Sequence, residues 1–234
     1  MSMIIQYEKL VSQVLTTLRI QKDVDLKKDK NTLESSFRYP FITIAREPGS
    51  GGKLIGEEVA RRLKYTFYDH ELIEEIAKSS NLRKSILSQI DEKGRSSLQD
   101  MMHALIDPDY ISDVTYVTQL CKVIIALAYK GKVVILGRGA NMITPFAQGL
   151  HVRTMAPYKV RLQRAMDYEG HSLERAKEIL MQMNNDRKTF VKQYFGVDIE
   201  DPKYYDLTIN TTFYRPHEAA DVVMQAFKKK FPHA

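Results

Sequence analysis

The strongest constraint on this chain is a short apolar run that breaks at a glycine-rich turn and continues directly as a helical pattern. Phe41-Ile-Thr-Ile-Ala45 is followed by Arg46-Glu-Pro-Gly-Ser-Gly-Gly52 and then by an amphipathic stretch from Lys53 to about Lys64. Pro40 before the run and the glycines after it predict a short strand. Gly49, Gly51 and Gly52 can take backbone angles closed to other residues. Successive amide N–H groups in such a turn can point inward as an anion cradle, and the following helix adds its positive end. Lys53 and Arg46 bracket the cradle with full charges. A tight structural turn with solvent-facing basic residues is the bland alternative, and the strand-to-helix context favours a bound phosphate.

The rest of the chain repeats this alternation. Short strands are predicted at Thr66–Tyr68, Lys132–Leu136, Leu150–Met155 and Leu207–Asn210. Helical patterns run through Glu71–Lys78, Leu82–Ile90, Ser97–Leu105, Ser112–Tyr129, Tyr158–Glu169 and Ser172–Tyr194, and a last helix opens at Pro216. That order predicts an α/β fold with a mainly parallel sheet. Ligands in such folds sit beyond the carboxyl ends of the strands. The positions to interrogate are therefore Arg46–Gly52, Asp69, Gly137-Arg138-Gly139, Ala156 and Asn210-Thr211.

Charge narrows the partners. Lys and Arg number 35 against 29 Asp and Glu, so the formal charge is +6. This favours anions such as phosphates and nucleotides. The acids are well mixed with the bases, and Lys228-Lys229-Lys230 suits the negative end of the final helix dipole, so nucleic acid is disfavoured as a partner. The single Cys121 excludes an internal disulfide, fits a reducing compartment and reads as core. Scattered histidines and one cysteine cannot build a zinc site. Aliphatic runs such as Val123–Ala128 fall far short of a membrane span, and Glu8 and Lys9 interrupt the apolar N-terminus too early for a signal peptide. The expectation is a cytoplasmic protein with no membrane partner. Residues 1–38 read as an amphipathic helix over 4–20 and a charged linker, apart from a main domain at 39–234. The helix is either a packing arm or a homodimerisation or partner helix.

The turn departs from the G-x-x-x-x-G-K-[ST] phosphate loop. Arg46 stands at the first Gly place, Gly51 at the second, Gly52 at the Lys place and Lys53 at the hydroxyl place, which leaves Ser50 as the only hydroxyl in the turn. Together, ITIAREPGSGGKLIGEEVARRL, FYDHELIEEIA, VVILGRGANMI, LHVRTMAPYKVRLQRAM and YYDLTINTT resemble the cytidylate kinase-like family, a variant branch of the P-loop nucleoside monophosphate kinases. The resemblance covers roughly residues 40–230.

It implies a three-layer P-loop kinase-type fold, with a five-stranded sheet, an acceptor-side helical insert near 80–130 and a lid near 170–200. It also implies phosphoryl transfer from ATP, with Mg2+, to a small acceptor, most simply a nucleoside monophosphate. Arg46 and Lys53 would hold donor phosphates beside the amides of Gly49, Ser50, Gly51 and Gly52, with Arg46, Lys53 and Arg187 as the catalytic cations. Asp69 and Arg138 would meet the acceptor, and Asp69 would also suit the N-cap of the next helix. Arg161, Arg164, Asp186, Arg187 and Lys188 would form the lid, and Asn210 would lie near the adenine. Glu47, Asp69 and Asp186 are candidate magnesium ligands. Aromatic residues such as Tyr194, Phe195, Tyr204, Tyr205 and Tyr214 read as packing.

True cytidylate kinases carry Asp residues around the arginine after the third strand. Here those places hold Leu136 and Gly139, and the arginine expected early in the helix after the second strand falls at Glu75. These departures weaken cytidine monophosphate as the acceptor and keep open a non-catalytic nucleotide-binding regulator on the same fold.

Overall fold

A computed structural model describes residues 37, 39–88 and 113–234. Its centre is a five-stranded sheet of order β2-β3-β1-β4-β5, with β1 at Phe41–Arg46, β2 at Thr66–Tyr68, β3 at Val133–Leu136, β4 at Gly149–Met155 and β5 at Leu207–Asn210. Every neighbouring pair is parallel, and β1 sits in the middle with Ile44 opposite Leu136 on one side and Val152 on the other. A central strand buried on both faces reads as continuous apolar sequence, as FITIA does.

The alternation along β1 and β3 sorts the core into two layers. Phe41, Val133 and Ile135 face one cluster with Ile73, Ile76 and the apolar side of the helix at Asp113–Lys130. Ile42, Ile44, Val134, Leu136 and Val152 face the other, built with Ile55, Val59, Ala219, Val223 and Phe227. The helices are α1 (Gly52–Leu63), α2 (His70–Lys78), α3 (Ser80–Ser88), α4 (Asp113–Lys130), α5 (Ala140–Ile143), α6 (Tyr158–Glu169), α7 (Leu173–Phe195) and α8 (Pro216–Lys230). Helices on both faces of a parallel sheet make a three-layer α/β fold, in agreement with the one the resemblance implies.

Predicted elements in the described residues agree with the observed ones to within about two residues. The short α5 and a single 3-10 turn at Pro202–Tyr204 escaped the reading, because four and three residues are too few to show a period. The N-terminal helix and nearly all of its linker, and the pattern at 97–105, lie outside the described residues. Among the described residues no helix is long and apolar enough to cross a membrane. Cys121 is buried in α4, and burial pushes its thiol up to about 12.

α6 and α7 form a hairpin with a small core of its own, Ala165, Ala176 and Leu180. It stands at the carboxyl ends of the strands. Ser172 caps α7 by accepting from the Arg175 N–H.

Candidate active site

Parallel strands deliver β1, β2, β3 and β4 to one edge, and the glycine turn opens there. Gly49 and Gly51 take left-handed angles, with φ of 74° and 81°, and α1 begins at Gly52 without a side-chain cap. The Ser50 N–H is bonded to the Glu47 carbonyl at 3.2 Å, and the first helical bond runs from the Ile55 N–H to the Gly51 carbonyl at 3.1 Å. Among the described residues the amides of Gly49, Gly51, Gly52, Lys53 and Leu54 have no carbonyl or side-chain acceptor. Unsatisfied N–H groups at a helix start, with the dipole behind them, favour an anion.

The turn is braced from beneath. Ser50 is buried; its hydroxyl donates to the Glu47 carbonyl at 2.8 Å and therefore accepts from Thr154 Oγ1 at 2.9 Å. The Glu47 carboxylate accepts from the Ala156 N–H at 3.1 Å and lies 3.4 Å from Arg161 and 3.5 Å from Arg153. Arg161, also buried, donates to the Ala156 carbonyl at 2.9 Å and the Pro48 carbonyl at 3.3 Å. Arg164 donates to the Thr211 carbonyl at 2.6 Å and hydroxyl at 3.0 Å, and to the Gly49 carbonyl at 3.4 Å. The Thr211 hydroxyl in turn donates to the Ser50 carbonyl at 2.9 Å. These bonds tie the turn to α6 and to the loop after β5.

A second, strongly basic cluster lies toward β2 and β3. Arg46 Nη2 donates to His70 Nδ1 at 3.2 Å, and its guanidinium fills the space that a side chain on Gly137 would need. Arg187, from α7, donates to the Arg46 carbonyl at 3.0 Å. Arg138 pairs with Glu74 of α2, lies over the Phe190 ring at 5.2 Å and has a buried Nε with no partner among the described residues. Burial, then the charges of Arg187 and Arg138, push Arg46 down to about 9. Burial and the charges of Arg138 and Arg161 push Arg187 down to about 10. Cations packed so closely repel one another, and a bound anion relieves the repulsion.

The backbone at Arg138 is unusual. Gly137, Arg138 and Gly139 all have positive φ, at 82°, 51° and 65°. An arginine in that region is strained by about 1–3 kcal/mol, and such strain concentrates where a side chain must be aimed.

Residues 41–213 match the cytidylate kinase-like family. The chain belongs to that family. A cytidylate kinase of Pyrococcus horikoshii is 30% identical over 188 residues, spanning 79% of this chain and 86% of its own. Another, from Thermoplasma acidophilum, is 24% identical over 183 residues, spanning 76% and 87%. A crystal structure of an uncharacterised protein from Eubacterium ventriosum shares the fold, with a TM-score of 0.62, 24% identity and coverage of 82% and 99%. Membership makes the chain a kinase by family.

Within that frame several side chains stand elsewhere than the sequence suggests. The sequence places Arg46 beside the donor phosphates; its guanidinium instead points to His70 and is mostly buried. Lys53 is exposed, and its ammonium donates to Asp69 at 3.0 Å. Asp69 also caps α2 by accepting from the Leu72 N–H at 3.0 Å. Burial would raise that carboxyl, but the Leu72 N–H and the Lys53 ammonium outweigh it and hold it below the usual range. The Ser50 hydroxyl braces the turn, so only its surroundings are left to meet a phosphate. Asn210 closes a local turn by accepting from the Thr212 N–H at 3.1 Å and hydroxyl at 2.6 Å. Asp186 lies on the exposed side of α7, accepting from Gln182 at 2.7 Å, away from the cluster. Lys188 pairs with Glu200 at 2.9 Å.

The sequence reading missed His70, Glu74, Arg153, Phe190 and Glu200. Of these, His70 and Glu74 carried a signal, since residues four apart share a helix face and both follow the second strand. Glu75, the position singled out instead, is exposed.

Proposed function

We propose that this kinase transfers a phosphoryl group from ATP to a small anionic acceptor, a nucleoside monophosphate being the simplest. The observation that carries this reading is the row of amides at Gly49 and Gly51–Leu54 without acceptors among the described residues, beside the cluster of Arg46, Arg138 and Arg187. Phosphoryl transfer depends on positioning and on cancelling charge, which amides and guanidinium groups supply. In this reading the turn seats the donor triphosphate, with Lys53 at its mouth. The arginine cluster receives the acceptor's anionic group, where paired guanidinium donors match phosphate geometry.

Magnesium, when bound, would supply positive charge against the donor phosphates. Among the described residues no group of three or more His, Cys, Asp or Glu side chains is placed to hold a metal ion. Of the three carboxylate candidates, Glu47 is committed to the Ala156 N–H, Asp69 to the Leu72 N–H and the Lys53 ammonium, and Asp186 stands apart. That sparse set fits an ion held mainly by phosphates and water, as magnesium in kinases commonly is.

A non-catalytic nucleotide-binding role is the second reading. Gly52 at the lysine place and the commitment of the Ser50 hydroxyl favour it. Measuring ADP release with magnesium-ATP and a panel of nucleoside monophosphates and hydroxy acids separates the two. Release with one acceptor supports transfer. ATP binding without turnover on any acceptor sinks it, and no ATP binding sinks both.

A further inference from the structure

One carboxylate stands among the cations that the acceptor's anionic group would meet. Glu74 pairs with Arg138, and among the described residues no other carboxylate pairs with Arg46, Arg138 or Arg187. A negative charge there opposes an anionic acceptor, so its presence calls for a reason. Aiming Arg138 is a poor one. That side chain leaves a backbone held at positive φ between two glycines, and its guanidinium lies over the Phe190 ring at 5.2 Å. Neither hold involves Glu74. Cancelling charge is the better reason, since guanidinium groups gathered at one edge repel one another. Glu74 uses the Arg138 donors only in part: it accepts from Nη2, while the buried Nε has no partner among the described residues. It also has a second partner at hand. His70, Glu74 and Lys78 recur every four residues and so share one face of α2. The exposed Lys78 ammonium already lies 3.5 Å from the Glu74 carboxylate.

We propose that Glu74 is a resident counter-ion that the acceptor's anionic group displaces from Arg138. This rests on the reading of the arginine cluster as the acceptor's seat. Before an acceptor binds, the carboxylate offsets part of the cluster's repulsion. A phosphate group brings more charge and more acceptor oxygens than a carboxylate. It takes the paired donors of Arg138 and leaves Glu74 with Lys78. Glu74 thus calms the free cluster and lowers the acceptor's affinity.

Inorganic phosphate is the probe, titrated into protein saturated with magnesium and a non-hydrolysable ATP analogue so that the glycine turn is already filled. Glu74→Gln keeps the side chain's size and removes its charge. By calorimetry it should bind phosphate about threefold to fivefold more tightly than wild type, the worth of a partly exposed ion pair that no longer has to break. The gain should vanish in an Arg138→Ala background. Glu74→Ala, read the same way, stands in if the glutamine variant does not fold. The proposal is overturned if the Glu74 variant binds phosphate no more tightly than wild type, which would make Glu74 a guide for Arg138, or if the gain survives without Arg138. Two failures stay apart. If Arg138→Ala loses phosphate while the Glu74 variant gains nothing, the acceptor seat stands and the counter-ion falls alone. If no form binds phosphate, or Arg138→Ala binds it as tightly as wild type, the seat and the counter-ion fall together.

Discussion

A Cβ on Gly52 would lie 2.6 Å from the Cβ of Arg46, closer than real Cβ atoms approach anything. The two departures from the usual phosphate loop are thus one change seen twice. An arginine at the first glycine place occupies the room in which a lysine at position 52 would leave the helix. Gly52 has no positive φ among the described residues, so sterics alone demand the glycine.

Gly52→Ala should therefore reverse the usual sign of a Gly-to-Ala change in a helix, which ordinarily stabilises. Overpacking against Arg46 should cost about 1–3 kcal/mol. In an Arg46→Gly background the cost should shrink by about 1 kcal/mol. It should not vanish, because Thr154 Oγ1 would still lie 2.7 Å from the new methyl. A four-member cycle by urea unfolding measures this, and effects that add within about 0.5 kcal/mol would refute the coupling.

His70 gives a pH signature. Burial, then the charges of Arg46 and Arg138, hold its imidazole below the ordinary 6.5, while Glu71 and Asp69 pull weakly the other way. Its Nδ1, facing the Arg46 guanidinium, accepts only when unprotonated. Below pH 6.5 the unfolded chain takes up the proton first, so stability falls with falling pH until the folded pKa is passed. Above pH 7 the group contributes no slope. His70→Gln should flatten the acid limb in a stability-versus-pH series. An unchanged limb would place the titration elsewhere.

Much of this architecture was legible because each strand is a buried run that ends in a turn signal, and each helix shows its period. FITIA and VVIL announce central strands, and the glycines at 49–52 and 137–139 mark the places where backbone must bend or be approached. Side-chain direction was not legible. Whether Arg46 points to the donor or the acceptor depends on contacts with Gly137 and His70, which stand in other elements. Glu74 was overlooked in favour of Glu75 because a one-residue shift rotates a helical side chain by about 100°. Arg161 reads from the sequence as one of the lid cations; only the docking of α6 beneath the turn buries it.

That docking predicts a stability effect at Arg161. Arg161→Met keeps the aliphatic stem but removes donors from the Ala156 and Pro48 carbonyls and a cation from Glu47. The loss should be about 3–5 kcal/mol, the range for breaking a buried pair from one side. Adding Glu47→Gln should recover part of it, since a carboxylate left facing Arg153 alone is removed while the Ala156 N–H keeps an acceptor. Chemical denaturation of the two single variants and the double variant checks this. A double variant no better than Arg161→Met would show that the carbonyls, not the carboxylate, set the cost.

Arg138 provides the sharpest separation of backbone from side chain. Its φ of 51° lies where glycine is at ease and any residue with a Cβ is strained. Arg138→Ala and Arg138→Gly both delete the guanidinium and its pair with Glu74, so both should weaken the acceptor's apparent affinity alike, with ATP binding untouched. In stability they should part. Glycine relieves the strain, and its larger unfolded-state entropy offsets only some of that gain. Arg138→Gly should thus be more stable than Arg138→Ala by about 1 kcal/mol, measured by thermal or urea unfolding. The reverse order would mean that the backbone at this residue is not left-handed in solution. Unequal effects on acceptor affinity would mean that the turn, and not the guanidinium alone, shapes the pocket.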